Sequence, residues 1–295
     1  MNKMSIAFLC LLLNLSTLSA FTLPAALQSK TVSSLDGTRG IADSVKIWTL
    51  GNKKKIEHIW IVFHGDSPNF YVDELKSDRN KLHAKLLRKN EGAVIIQPRS
   101  LSAKALGVPA GQGWGDIYGK SKAAQQMTKK RAQYGAMIIK IFRQFEKILG
   151  DRSLKLQVLT FSGAGRIDRA FHEYLFKNYQ VDGRLRVRDF VKNNLYAVTA
   201  SDSMVHWSFI DAAKNPLVKS WQRFFKMFPH VKATLVYDKN KTYSRMAKMN
   251  QEIWEGHSGA KGLPPVVKKY RQLRIMSGTS HFNTFRGHFD KIFFW

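Results

Sequence analysis

Apolar positions along the chain alternate between two periods. Short runs rich in β-branched residues predict strands, and longer stretches with apolar residues at helical spacing predict helices. The strand-like runs are Val45 to Leu50, Ile56 to Phe63, Ala93 to Gln97, Leu154 to Phe161, Leu195 to Ala200, Ala233 to Tyr237 and Leu273 to Met276. Ile59-Trp60-Ile61-Val62-Phe63 is apolar at every position, as a strand covered on both faces must be. Between them, 125–149 reads as a long amphipathic helix with Tyr134, Ile138, Ile141, Phe142 and Phe145 on one face. Stretches 167–178 and 285–294 also read as helices, and the terminal Phe-Phe-Trp reads as helix packing. Trp221, Phe224, Phe225 and Phe228 form an aromatic stripe at helical spacing within 205–229, open to two readings: a core helix or a lid. Strands and helices taking turns predict one α/β domain around a largely parallel sheet. Neither a repeat nor a linker divides it.

Composition adds three facts. Lys3 followed by the apolar run Ile6 to Leu13 and the small-residue exit to Ala20 has the form of a secretory signal over 1–20, leaving 21–295 as the domain. No later stretch is long and apolar enough to predict a membrane span, so a secreted or periplasmic location is expected. Cys10, the single cysteine, falls in the signal segment, which excludes disulfide, thiol-nucleophile and thiolate-metal chemistry from the remainder. The net charge is +27, from 48 Lys+Arg against 21 Asp+Glu. An excess of this size concerns partners, not fold. It suits an anionic polymer or a membrane surface, or is simply a solvated face.

The most specific chemistry sits where one strand runs into a helix. After Leu156 to Thr160 the chain reads Phe161-Ser162-Gly163-Ala164-Gly165 and then turns helical. A serine at such a corner is held in a strained conformation that exposes its hydroxyl, and small neighbours make room for it. Thr160 and Ala164 are those neighbours. A dinucleotide fingerprint would need a glycine at Asp168, and a phosphate loop would need Gly-Lys-Ser/Thr; both are absent.

With the late histidine, this strand, corner and helix resemble the α/β-hydrolase superfamily over nearly all of 21–295. The resemblance implies a single α/β-hydrolase domain and a Ser162 nucleophile. His281, in Ser277 to Thr284 just past the last strand, would be the general base. The acid has two candidates at strand ends: Asp202, in a stretch otherwise free of charge, and Asp238 as the alternative. His64-Gly65-Asp66 follows a strand where the family opens its oxyanion loop, so the Asp66 and Gly163 amides would face the oxyanion. His64, Gly65 and Trp114 would line the pocket, although Trp114 reads equally as the packing anchor of its glycine-rich loop. The implied activity is acyl-ester or amide hydrolysis by an esterase, lipase or amidase, without metal or organic cofactor and with the acyl substrate unspecified. The other class open to this sequence is a non-catalytic protein that binds polyanions or the cell envelope on the same scaffold.

Overall fold

A computed structural model of the chain describes residues 22–65, 71–101, 114, 131–150, 152–177, 186–201, 216–238, 273–278 and 289–293. Residues 1–20, expected to be a secretory signal, therefore lie outside the described residues. So do Asp66, Asp202, His281 and most of the connection after residue 101.

Eight strands form one sheet in the order β1-β2-β4-β3-β5-β6-β7-β8. They are β1 (Ser29–Val32), β2 (Ala42–Gly51), β3 (Ile56–Phe63), β4 (Gly92–Ser100), β5 (Lys155–Phe161), β6 (Leu195–Ser201), β7 (Lys232–Asp238) and β8 (Leu273–Gly278). β2 runs antiparallel to both β1 and β4, and every other pair is parallel. This is the mostly parallel α/β-hydrolase sheet that the resemblance implies. β1 is an addition to the expected strands. Its sequence, Ser-Lys-Thr-Val, is nearly all exposed and carries no apolar alternation.

The sheet divides its side chains by the period of two. Ile59, Ile61 and Phe63 enter the larger core, while Trp60 and Val62 enter the smaller one on the opposite face. The larger core is closed by α2 (Arg131–Leu149), α3 (Gly165–Lys177), α4 (Val187–Asn194) and α5 (Pro216–Met227). The smaller lies under α1 (Lys76–Arg88) and the short α6 (Phe289–Ile292). Phe293 stacks on Trp60 with ring centroids 4.1 Å apart, so this ring packs on the sheet.

Two close approaches fix the helical layer. Gly135 lets α2 cross α3 so tightly that a Cβ there would come within 2.5 Å of the Tyr174 Cβ. The aromatic stripe of α5 is core: Trp221, Phe224, Phe225 and Phe228 are buried. Two of them flank His172 of α3, which stacks on Phe224, meets Trp221 edge-on and bonds the Ser220 hydroxyl through Nδ1 at 3.0 Å. Complete burial among these rings drives the His172 pKa down to about 3, so the imidazole is neutral and structural.

Candidate active site

Ser162 follows the C-terminal end of β5, which pairs with β3 on one side and β6 on the other. β5 ends at Phe161, a 3₁₀ turn covers Ser162–Ala164, and α3 begins at Gly165. Ser162 itself has φ +51°, in the left-handed region that non-glycine residues rarely occupy. Strain of this kind costs on the order of 1–3 kcal/mol and persists only where the surroundings hold it. Here they do. Ala164 behind the turn is fully buried. Thr160, two residues before the serine, donates its hydroxyl to the buried Asp168 carboxylate at 2.6 Å, tying the strand end to the first turn of α3. An acid there also suits the positive end of the helix dipole. Ser162 and Gly163 remain partly exposed.

The segment after β3 lies directly against this turn. A Cβ on Gly65 would stand 2.9 Å from the Ser162 Cβ and 3.4 Å from its Oγ, so only glycine fits without displacement. His64 holds Gly65 in that place. The His64 Nε2 accepts the Ser100 N–H at 2.9 Å, which puts the proton on Nδ1, and Nδ1 donates to the Gly65 carbonyl at 2.7 Å. His64 is thus a fully buried brace between the ends of β3 and β4.

Trp114 completes the brace. Its indole N–H donates to the His64 carbonyl at 2.8 Å, and its ring stacks on the His64 imidazole and meets Phe63 and Tyr134 edge-on. With no exposed surface, this indole behaves as the packing anchor of its connection.

Strand register locates the remaining candidates. Phe161 pairs with Ser201, so β5 and β6 run out side by side, one into Ser162 and the other into Asp202. Asp238 closes β7 in register with Gly278, the last residue of β8, and His281 follows Gly278 by three residues in sequence. Asp202 and His281 themselves, like Asp66, lie outside the described residues. Sequence reading missed three parts of this arrangement: the Thr160–Asp168 tie, the Ser100 amide and the buried role of the His64 ring. Only the first left a signal, an acid in the first helical turn.

Among the described residues, one group could hold a metal ion: Glu57, His58 and Glu91. It stands at the start of β3 and β4, at the opposite end of the sheet from Ser162. Burial lowers the His58 pKa, Lys155 lowers it further and Glu91 opposes both. The 3.4 Å approach of His58 to Glu91 is therefore better described as neutral imidazole beside carboxylate than as an ion pair. The adjacent Lys155 would repel a cation.

Comparison with known proteins agrees with the topology. Among solved structures, the chain is similar to the BES protein from Bacillus cereus, with a TM-score of 0.51 and 10% identity over 92% of this chain and 95% of that one. It is also similar to an IroE-like serine hydrolase from Shewanella oneidensis, with a TM-score of 0.46 and 12% identity over 88% and 77%. A ferulic acid esterase gives a TM-score of 0.46 and 14% identity over 90% and 97%. No protein-family model and no curated protein matches the chain. At 10% identity the likeness to the Bacillus cereus protein shows a shared fold alone.

Proposed function

We propose that the protein is an exported serine hydrolase that cleaves acyl esters or amides through a covalent acyl-enzyme. The observation that carries this reading is the Ser162 backbone, held at φ +51° between β5 and α3 with its side chain against Gly65. A structural serine has no need of this strain. A nucleophile gains from it, because the hydroxyl is lifted clear of the strand toward the pocket.

In this reading His281 takes the Ser162 proton during attack and returns it to the leaving group. Asp202 orients the imidazole and offsets its charge, with Asp238 as the alternative acid. The register of β6 against β5 supports Asp202, since its strand neighbours the nucleophile's directly. The Gly163 and Asp66 amides would bind the oxyanion. The His64 brace supports an oxyanion loop here, because it fixes the Gly65 carbonyl and Gly65 packs on Ser162. Neither metal nor organic cofactor has a part in these steps.

The test is hydrolysis of a panel of small acyl esters and amides by the wild type and by Ser162→Ala. Turnover by the wild type, lost in a folded alanine variant, supports the reading. A wild type inert to the whole panel, or an alanine variant as active as its parent, contradicts it.

A further inference from the structure

The end of the sheet opposite Ser162 has a chemistry of its own. The parallel strands begin there, so the segments leading into β3, β4, β5 and β7 share it. A 3₁₀ turn, Lys53–Lys55, precedes β3, capped by Asn52, whose side chain accepts the Lys54 N–H. The Arg152 guanidinium donates to the Lys54 carbonyl at 3.0 Å and joins the loop before β5 to this turn. Between them opens a cleft of about 550 Å³ walled by Lys54, Lys55, Ile56, Glu57, Arg152, Ser153 and Lys155. Glu57 lies 3.8 Å from Lys155, and both side chains are more than two-fifths exposed, so solvent screens the pair and the cleft stays positive. The charge continues along the edge. Lys155, which opens β5, and Lys232, which opens β7, flank the Tyr196 ring at 5.8 and 4.7 Å.

This end also carries exposed apolar surface. Among the described residues the large apolar side chains most open to water are Leu27, at 36%, and Leu87, at 50%. The Leu27 amide bonds the Thr49 carbonyl near the end of β2, the antiparallel strand whose Gly51 pairs with Gly92 at the start of β4. Leu87 sits in the last turn of α1, just before β4, next to exposed Arg88 and Lys89. Lys53 donates to the Leu23 carbonyl at 2.8 Å, drawing the segment that carries Leu27 toward the lysine turn.

We propose that this end docks on an anionic lipid bilayer. Acidic headgroups attract a clustered set of Lys and Arg, and leucines at the same end of the sheet can leave water for the acyl boundary. A soluble polyanion would use the charge but offer the leucines no apolar phase. Helix C-termini draw basic residues without any partner, which suffices for Lys89. It does not account for Lys155, which opens β5, or for the Lys53–Lys55 turn, which precedes β3. Docking in this sense leaves the Ser162 end facing water.

The experiment is flotation of the mature chain with vesicles of phosphatidylcholine containing about one-third phosphatidylglycerol, across a salt series. Binding that pure phosphatidylcholine does not reproduce, and that salt weakens, is expected. K54Q/K55Q/R152Q/K155Q should weaken it on the order of 100-fold, and L27S/L87S on the order of tenfold. K76Q/K81Q/K140Q/K219Q removes the same charge elsewhere and should cost only a few-fold. Thermal melts confirm that each variant folds; if the fourfold cleft variant does not, K54Q/R152Q takes its place, with a loss on the order of tenfold expected. A loss as large in the charge-matched control as in the cleft variant would overturn the proposal in favour of net charge alone. Undiminished vesicle binding by L27S/L87S, with equal capture of the wild type by soluble polyphosphate, would overturn it in favour of a polyanion.

Discussion

At Ser162 a single dihedral angle links stability to function. A residue strained at φ +51° is relieved by glycine. Ser162→Gly should therefore raise thermal stability by on the order of 1 kcal/mol while abolishing turnover; a melt at or below that of the wild type would mean the turn stores no strain. Gly65→Ala forces a Cβ to 2.9 Å from that of the serine, so turnover should fall at least about tenfold in a folded variant. The acids separate by kinetics. Asp202→Asn should cost about 10⁴ in turnover and Asp238→Asn far less, and the opposite ranking would place the acid on β7. Ser162 was legible in the sequence because its small neighbours, Thr160 and Ala164, are themselves part of the motif. The brace was not, because His64 bonds Ser100 across 36 positions and no local pattern records such a pairing. Trp114 stayed open between two roles for the same reason. Whether an indole faces a pocket or the His64 carbonyl is decided by neighbours on other elements.

At the scale of elements, legibility followed burial. β3 has the bounds expected from its sequence, Ile56–Phe63, because every position from Ile59 onward packs into one core or the other. β5 was nearly as plain, starting at Lys155 where the apolar run begins at Leu154. β1, α1 and α4 went unread. β1 is a polar edge of four residues, α1 buries only Leu82 and Leu86 of its apolar side chains, and α4 has eight residues with few apolar positions. The α3–α5 interface makes a prediction of its own through His172. Its pKa is about 3 when folded and 6.5 when free. Between these values the unfolded chain takes up a proton that the native helix pair refuses. The stability from keeping this ring neutral is fully present above pH 6.5, falls as the pH drops toward 3, and is gone below that. The slope is at most about 1.4 kcal/mol per pH unit. His58, also lowered, acts in the same direction. His172→Phe should flatten the acid limb of denaturant-unfolding curves taken between pH 7 and 4; an unchanged limb would mean that the ring is reached by water.

For the molecule as a whole, the sheet separates two chemistries by the direction of its strands. The C-terminal ends carry Ser162, and the N-terminal ends carry the basic cleft. The overall excess of +27 was visible in composition, but its gathering at Lys54, Lys55, Arg152 and Lys155 was not. Those residues meet only when the starts of β3 and β5 are brought side by side. Activity and attachment should respond differently to salt. Turnover of a small neutral ester should hold nearly constant while vesicle binding falls; a parallel fall would mean that basic residues shape the catalytic pocket. The central claim, that Ser162 is an activated nucleophile, has one direct test: exposing the folded protein to a fluorophosphonate probe and mapping the adduct by peptide mass spectrometry. A single adduct on the peptide containing Ser162, absent from heat-unfolded protein and from Ser162→Ala, is the predicted result. A folded protein that remains unlabelled, or carries its adduct on another residue, would contradict the claim.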